Sequence, residues 1–195
     1  IGNNVSGILI NNCSITNVGK PFNLVHVSGK ITNCEVTANE NCVYVEDSTG
    51  GLYFYRNRFY TNNHILKSNV QIKNSQNIEF NSSYTYSTYL SASSVAMFFI
   101  ESCSNVEFSK IVLPSLGGTF TSDGTLTSVT LFYTSGTNLN IKVNSSKINA
   151  PTPTTGSVQL YACQNSDVEF YNDNGNISGY KMTNKRYYLT ASTTP

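Results

Sequence analysis

Glu79 and Glu107 are the residues of this sequence whose type and spacing could support acid–base chemistry. Each is the middle residue of an apolar-x-apolar triplet, Ile78-Glu79-Phe80 and Val106-Glu107-Phe108. If the two triplets stack as neighbouring strands about 4.8 Å apart, both carboxylates lie on one face. Carboxylates about 5 to 5.5 Å apart suit a retaining glycosidase, and about 6.5 to 9.5 Å an inverting one. A solvated strand face with a lysine nearby explains the same glutamates without catalysis.

A second set of candidates consists of three tyrosines, Tyr84, Tyr86 and Tyr89, in one stretch rich in Ser and Thr. A tyrosine offers a flat ring face and a hydroxyl group at low entropic cost, which suits contact with a sugar ring. These tyrosines are therefore candidate ligand-binding residues. Packing within an ordinary loop is the alternative.

Aromatic residues also recur at one position of a repeated strand pattern. The middle residues of the successive first triplets are His26, Tyr44, Gln71, Phe99, Phe132 and Tyr161. The four aromatic ones, Tyr44, Phe99, Phe132 and Tyr161, would form an apolar stripe outside the protein, and such a stripe marks an interface. We expect it to pack against neighbouring subunits in a homotrimer, with stacking on sugars as the alternative.

The sequence contains no recognisable set of metal ligands. His26 and His64 are remote from each other, and the four Asp are scattered, so we expect no metal and no cofactor. The five cysteines lack zinc spacing and a CxxC motif, so we expect buried free thiols.

A degenerate repeat must position all of these residues. Two apolar-x-apolar triplets are separated by about five residues rich in Ser, Asn, Gly and Asp, as turns require. The copies start at Val43, Val70, Phe98, Leu131 and Leu160. In a triplet of this kind, alternate side chains face opposite sides, as in a strand. A constant pair of strands with a variable remainder indicates a solenoid whose length variation lies in loops. An antiparallel sandwich is the alternative, since Asp123-Gly124 could form a tight hairpin turn.

The composition agrees with this interpretation. Asn, Ser and Thr number 26, 25 and 21 of 195 residues, and these types favour turns over helix interiors. Charged residues make up 12% and the net charge is +1, which argues against a nucleic-acid partner. No apolar stretch reaches the roughly 20 residues that span a bilayer, so we expect no membrane insertion. Asn12 and Asn33, each before a cysteine, could stack as an amide ladder.

This pattern resembles the right-handed parallel β-helices of the pectin-lyase-like group, and most of all the tailspike proteins of bacteriophages. The resemblance rests on the repeat and the composition, and it covers about residues 1–180. It implies an all-β fold with six to seven coils and loop excursions. Residues 181–195 would be a C-terminal extension or the start of a further segment. The start at Ile1, which looks like neither a signal peptide nor an initiation site, suggests a fragment of a longer protein.

The resemblance also implies a function, since tailspikes are typically homotrimers that bind, and often cleave, the surface polysaccharide of the bacterial host. We therefore expect a structural or receptor-binding segment of a virion tail, located there or on another extracellular surface. A hydrolase or lyase acting on polysaccharide is the second hypothesis, and a bacterial surface adhesin is the third. With no adjacent Asp pair in the sequence, we favour binding over catalysis for this segment.

Overall fold

The structure, a computed structural model, describes residues 3–61, 69–87, 96–113, 128–144, 147–149, 157–162, 166–171, 174–177, 180–182 and 185–188. Side chains are described for residues 4–16, 19–60, 69–83, 98–111, 134 and 136–143. All regular elements in these ranges are β-strands.

The described residues form 21 strands, of two to eleven residues each. The first eleven are β1 (Asn3–Asn11), β2 (Ser14–Val18), β3 (Phe22–Thr32), β4 (Glu35–Ala38), β5 (Val43–Glu46), β6 (Leu52–Tyr55), β7 (Arg58–Thr61), β8 (Val70–Lys73), β9 (Gln76–Asn81), β10 (Tyr84–Ser87) and β11 (Ala96–Glu101). The remaining ten are β12 (Ser104–Ser109), β13 (Val112–Leu113), β14 (Ser128–Ser135), β15 (Asn138–Asn144), β16 (Lys147–Asn149), β17 (Ser157–Ala162), β18 (Ser166–Tyr171), β19 (Asn174–Ile177), β20 (Tyr180–Met182) and β21 (Lys185–Tyr188).

Parallel pairing between strands three places apart organises most of the chain. From β5 onward the first row of paired strands is β5-β8-β11-β14-β17, the second is β6-β9-β12-β15-β18, and the third is β7-β10-β13-β16-β19. The long strand β3 joins the first two rows, because residues 22–25 pair with β5 and residues 29–32 pair with β6. Each set of three strands is called a repeat below.

The three rows form two sheets, one of 13 strands and one of 8 strands. The first and second rows share the larger sheet, and the third row forms the smaller one. The pairs β18–β21 and β19–β20 are antiparallel, so parallel pairing ends near Tyr180. The protein is therefore all-β with mostly parallel strands, an arrangement compatible with a solenoid. The division at residue 180 stays a prediction.

Alternation of buried and outward residues along the strands confirms the predicted face of the central repeats. Val70, Ile72, Ile78 and Phe80 are at most 1% exposed, whereas Glu79 lies between two buried residues and is half-exposed. Glu107 has the same environment in the next repeat. Period-two alternation thus gives each strand one face toward the core, as the triplets predict.

Equivalent core positions stack along the rows and produce a column of aromatic rings. The rings of Phe54 and Phe80 stack with centroids 4.2 Å apart, and Phe108 continues the stack at 5.2 Å from Phe80. Phe59, from the third row, meets Phe54 and Phe80 edge-on, with centroids 6.3 Å away in each case. Offset-stacked and edge-on ring pairs stabilise a core beyond the burial of their area.

Left-handed turns use several of the asparagine and serine residues of the sequence. The turn after the first row has positive φ at Asn4, His26, Asp47, Asn74, Ser102 and Gly136. The turn after the second row has positive φ at Asn12, Asn33, Arg56, Ser82 and Lys110. Asn, Asp and Gly adopt this conformation with less strain than other residues. His26 has this conformation within β3, between the residues that pair with β5 and those that pair with β6, and its Nδ1 is 3.0 Å from the carbonyl oxygen of Asp47.

Buried polar side chains next to these turns bridge successive repeats. Ser48 Oγ accepts a hydrogen bond from the backbone N–H of Val27 at 3.0 Å, and Ser75 Oγ accepts one from Ser48 at 3.1 Å. At the second turn, Asn57 Oδ1 accepts a hydrogen bond from the N–H of Cys34 at 2.9 Å. These bonds satisfy backbone groups that would otherwise be buried without a partner.

Cysteines occupy some of the same inner positions, as the sequence predicts. Cys34, Cys42 and Cys103 are buried free thiols, and Cys13 is partly exposed. Burial raises the pKa of Cys34, and burial likewise raises the pKa of Cys103 to about 11. Cys163 lies outside the described residues.

The predicted amide ladder occurs at a different position. Asn33 Nδ2 donates to Asn11 Oδ1 at 3.1 Å, and not to Asn12. A ladder instead joins three residues near the starts of second-row strands: Asn140 donates to Asn105 at 2.8 Å, and Asn105 donates to Asn77 at 3.1 Å.

Candidate functional site

The outer face of the second row carries a pair of exposed aromatic rings on strand β6. Leu52 and Phe54 of this strand are buried, and the alternate residues Tyr53 and Tyr55 are 42% and 39% exposed. Both tyrosines therefore point away from the core on the same face. Exposure of two large rings side by side on an otherwise well-packed strand is the feature that singles out this face as a candidate binding site.

Parallel pairing with the adjacent repeats surrounds the two tyrosines with polar residues in register. Lys30 pairs with Tyr53, and Thr32 pairs with Tyr55, on the side toward the N-terminus. On the other side, Tyr53 pairs with Glu79, and Tyr55 pairs with Asn81. The six side chains thus form two columns of three, with the rings in the middle. We call this set the tyrosine groove: Lys30, Thr32, Tyr53, Tyr55, Glu79 and Asn81.

The same six residues, with Phe54, line a cavity of about 450 Å³. This volume lies within the range of small-molecule sites, which runs from about 300 to 1,000 Å³. Exposed ring faces beside a few hydroxyl, amide and charged groups are the mixture that such sites use for orientation and specificity. The groove therefore has the size and the chemistry to receive a ligand.

Neighbouring residues hold both rings in place. A Cβ atom built on Gly51 would lie 3.2 Å from the hydroxyl oxygen of Tyr53, so the phenol end of this ring lies directly over the glycine. The Arg56 guanidinium lies 4.9 Å from the centroid of the Tyr55 ring, a cation–π contact. Rings that are already positioned lose less entropy on binding.

Hydrogen bonds order the amide and the carboxylate on one wall of the groove. Asn81 Nδ2 donates to Glu79 Oε1 at 3.2 Å, and Ser82 Oγ donates to Asn81 Oδ1 at 2.9 Å. On the opposite wall, Lys30 has no carboxylate within 4 Å among the described residues. The groove therefore presents an ordered acceptor wall and a cation that is open to a ligand.

Glu79 and Glu107 lie in register on adjacent strands, as the sequence predicts. Ser109 Oγ donates to Glu107 Oε1 at 2.5 Å, just as Asn81 donates to Glu79. Each carboxylate therefore accepts a hydrogen bond from the side chain two residues later in the sequence. Lys142 is the next residue in the register beyond Glu107. Two adjacent carboxylates could serve a glycosidase, and their catalytic role stays a prediction.

The predicted ligand-binding tyrosines lie on the third row. Tyr84 and Tyr86 lie on strand β10. They are in register with Arg58 and Tyr60, respectively, on strand β7. Tyr89 lies outside the described residues. These positions belong to a different sheet from Tyr53 and Tyr55, so the tyrosine groove does not include them.

The predicted aromatic stripe is divided by the strand register. Tyr44 is in register with Gln71, which is in register with Phe99. Phe132 and Tyr161, however, are in register with Phe98, whose side chain is buried. Leu131-Phe132-Tyr133 has no polar residue to mark its outward side, so the sequence does not show which of its side chains face outward. A shift of one residue in the register moves every side chain of the strand to the opposite face.

Tyr44 has a polar setting on the outer face of the first row. The Lys20 ammonium lies 5.3 Å from the centroid of its ring. Partial burial, a hydrogen bond with Glu46 and nearby carboxylate charges raise the pKa of Tyr44 to about 12. Lys73 Nζ forms an ion pair with Glu101 at 2.8 Å on the same row of strands. An interface between subunits on this face stays a prediction.

Sequence reasoning did not identify the tyrosine groove as a site. Tyr53 follows from the triplet pattern as an outward residue, but Tyr55 lies just beyond the triplet. Two exposed tyrosines at i and i+2 of one strand are a signal that the sequence carries. The partners Lys30 and Asn81 come from other repeats, and turns of different length hide their register.

Comparisons of the chain with protein-family models, with curated proteins and with solved structures give no match. Within the described ranges, no three His, Cys, Asp or Glu residues come together in a group that could hold a metal ion. The described part of the chain also contains no helix long and apolar enough to cross a membrane.

Proposed function

We propose that this chain is a right-handed parallel β-helix segment that binds bacterial surface polysaccharide, as in a bacteriophage tailspike or a similar receptor-binding protein. The observation that carries the proposal is the tyrosine groove, in which two exposed rings lie between an amide–carboxylate wall and a lysine. Sugar rings have apolar faces and hydroxyl edges, and this groove offers a complement to each.

The period of the strand pairing supports the β-helix. From β5 to β16, each strand pairs in parallel with the strand three places later, so the chain returns to the same row once per repeat. Connections between parallel strands are right-handed in nearly all proteins. A helix of six to seven coils, with loop excursions between rows, is the simplest fold that joins these pairings.

A homotrimer on a virion tail, or on another extracellular surface, completes the proposal. Half-exposed Tyr44 and Phe99 on the first row support an interface there, because large apolar groups left on a surface mark contacts with other proteins. The first row and the tyrosine groove lie on different strand rows, so trimer contacts at Tyr44 would leave Tyr53 accessible. Light scattering that shows a stable monomer would contradict the trimer.

The proposal is tested by binding to a panel of capsular and O-antigen polysaccharides, with Tyr53→Ala as the variant. Loss of the aromatic face should weaken binding about tenfold or more. Leu139→Ala is the matched control, because Leu139 is an apolar residue of a second-row strand, 58% exposed, that does not line the groove. Equal binding by the variant and the control, or no binding to any polysaccharide, would contradict the proposal.

A polysaccharide hydrolase is the second candidate, and the register of Glu79 and Glu107 is the observation that favours it. Incubation with a polysaccharide that binds, followed by measurement of reducing ends, separates the two functions. If ends appear, and Glu79→Gln or Glu107→Gln lowers the rate by about 100-fold or more in a folded protein, the pair is catalytic. Binding without new reducing ends would leave a non-catalytic receptor-binding segment.

A further inference from the structure

We propose that the ligand of the tyrosine groove is an uncharged polysaccharide that lies along strand β6, across the direction in which the repeats stack, with consecutive sugar rings on Tyr53 and Tyr55. The inference rests on the proposed polysaccharide binding and adds to it the direction, the charge and the contacts of the ligand. Three independent features of the groove support it.

The positions of the two rings give the direction. Tyr53 and Tyr55 are two residues apart on one parallel strand, which corresponds to about 6.6 Å along the strand. A ligand that ran along the stacking direction would leave Tyr53 after about 4.8 Å and meet Lys30 or Glu79, since these are its partners in register. Only a path along the strand meets two aromatic faces in succession.

The charges around the groove favour a ligand without net charge. The charged residues that line the groove are Lys30 and Glu79, one cation and one carboxylate, and Arg56 lies against the Tyr55 ring. An acidic polysaccharide with a charge on each unit would bring carboxylates against Glu79. A basic polysaccharide would bring ammonium groups against Lys30 and Arg56. Like charges at such short range are unfavourable, so a neutral chain fits this pattern best.

The hydrogen bond between Asn81 and Glu79 leaves a carboxylate that favours a ligand with hydroxyl groups. Oε1 of Glu79 already accepts from Asn81, and this bond fixes the orientation of the carboxylate. An ionised carboxylate can accept several hydrogen bonds, so Glu79 can also accept from a sugar hydroxyl. Hydrogen bonds to a charged acceptor are stronger than neutral ones. A sugar without a hydroxyl at this position would lose this bond to Glu79 and should bind more weakly.

The test compares uncharged and acidic polysaccharides on one array with the intact chain, at low and at high salt. We expect binding to uncharged members, with an affinity that changes less than threefold with salt, because no net charge is neutralised. Affinity for fragments of a bound polysaccharide should rise steeply from one sugar unit to two, since the second unit reaches Tyr55.

Variants separate the parts of the inference. Tyr53→Ala and Tyr55→Ala should each weaken binding about tenfold. Glu79→Gln should weaken it by a similar factor while salt dependence stays small. If an alanine variant fails to fold, by circular dichroism, Tyr53→Phe keeps the ring and should retain most of the binding. Thr37→Ala, on the third row, is a control outside the groove and should bind normally.

Each unfavourable result has a distinct meaning. Binding confined to acidic members, weakened strongly by salt and by Lys30→Gln, would overturn the uncharged ligand and leave polysaccharide binding intact. Equal affinity for one and two sugar units would overturn the path along β6. No binding to any polysaccharide would overturn the proposed function itself. Self-association that Tyr53→Ala abolishes, in a protein without glycan binding, would assign the groove to a second copy of the chain.

Discussion

The side-chain amide nitrogen of Asn105 donates a hydrogen bond to Oδ1 of Asn77, in the preceding repeat, at 3.1 Å. Asn140 donates in turn to Asn105 at 2.8 Å, so three asparagines form a continuous ladder on the outside of the protein. All three have positive φ, between 54° and 59°. Each asparagine therefore serves twice, as a residue that tolerates the left-handed turn and as a bridge between repeats.

Replacing Asn105 separates these two roles. Asn105→Ala removes the bonds and places a Cβ-bearing residue with no local hydrogen bond in the left-handed conformation, so we expect a loss of about 2 kcal/mol in the free energy of unfolding. Asn105→Gly removes the same bonds but adopts positive φ readily, so its loss should be about 1 kcal/mol. Urea unfolding of both variants measures the difference. Equal losses would show that the turn conformation contributes nothing.

The strands of the central repeats could be predicted because their apolar residues alternate. Val70-Gln71-Ile72 assigns a face to each side chain, and the structure confirms the burial of both apolar residues. Leu131-Phe132-Tyr133 offers no alternation, so its register could not be predicted. The composition also predicted turns correctly, but not which asparagines bond to each other, since Asn33 bonds to Asn11.

The tyrosine groove could be predicted only in part for a physical reason. Its floor comes from one strand, so the exposed pair Tyr53 and Tyr55 is visible in the sequence. Its walls come from the repeats before and after, and Lys30 and Glu79 meet Tyr53 only because the register of β3, β6 and β9 aligns them. Turns of different length separate these strands, and sequence spacing alone does not fix such a register.

Gly29 is required by close packing between the first two repeats. Its φ is +139°, and a Cβ atom there would overlap the backbone of Ile8. We expect Gly29→Ala to lower the free energy of unfolding by about 2 kcal/mol or more, since both the conformation and the contact are unfavourable. Thermal or urea unfolding measures the change.

Gly19→Ala is the matched control for Gly29→Ala. A Cβ atom at Gly19 would lie 3.6 Å from Glu40 Oε1, an ordinary contact, and its φ is not in the left-handed region. The free energy of unfolding of this variant should stay within about 0.5 kcal/mol of that of the original protein. Similar losses for the two variants would mean that packing against Ile8 does not explain the glycine.

Phe80 is the central ring of the aromatic column, between Phe54 and Phe108. Phe80→Ala leaves a cavity and removes the stacking partner of both neighbouring rings. We therefore expect the free energy of unfolding to fall by about 3 to 5 kcal/mol. Phe80→Leu fills part of the volume and should lose less. Leu9→Ala, at a position 72% exposed, should change the free energy of unfolding by no more than about 0.5 kcal/mol. A small loss for Phe80→Ala would mean that the column contributes little.

Thiol reactivity should follow burial. In a Cys163→Ser background, Cys13 is the partly exposed thiol, whereas Cys42 and Cys103 are buried. Burial raises the pKa of Cys42 and that of Cys103, so little reactive thiolate forms at neutral pH. We expect a disulfide reagent to label Cys13 in the folded protein and the others only after denaturation. Rapid labelling of Cys103 in the native state would contradict the inward position of this residue.

Alkaline titration tests the setting of Tyr44. Burial, followed by the hydrogen bond with Glu46 and the charges of Glu46, Asp47 and Glu101, raises its pKa to about 12, from an ordinary value of about 10. The folded state therefore holds the phenol proton more tightly than the unfolded state does. The contribution of this group to stability is complete below about pH 10 and is lost as the pH rises toward about 12.

Two variants show whether Tyr44 produces this behaviour. Subtracting the phenolate absorbance of Tyr44→Phe from that of the original protein should leave one group that titrates near pH 12. The loss of stability between about pH 10 and pH 12 should be smaller in Tyr44→Phe, which has no proton to release. Glu46→Gln removes a charge and alters the hydrogen bond, so the difference titration should move to lower pH. A midpoint that Glu46→Gln leaves unchanged would mean that Glu46 contributes little, and that partial burial with the charges of Asp47 and Glu101 holds the proton on Tyr44.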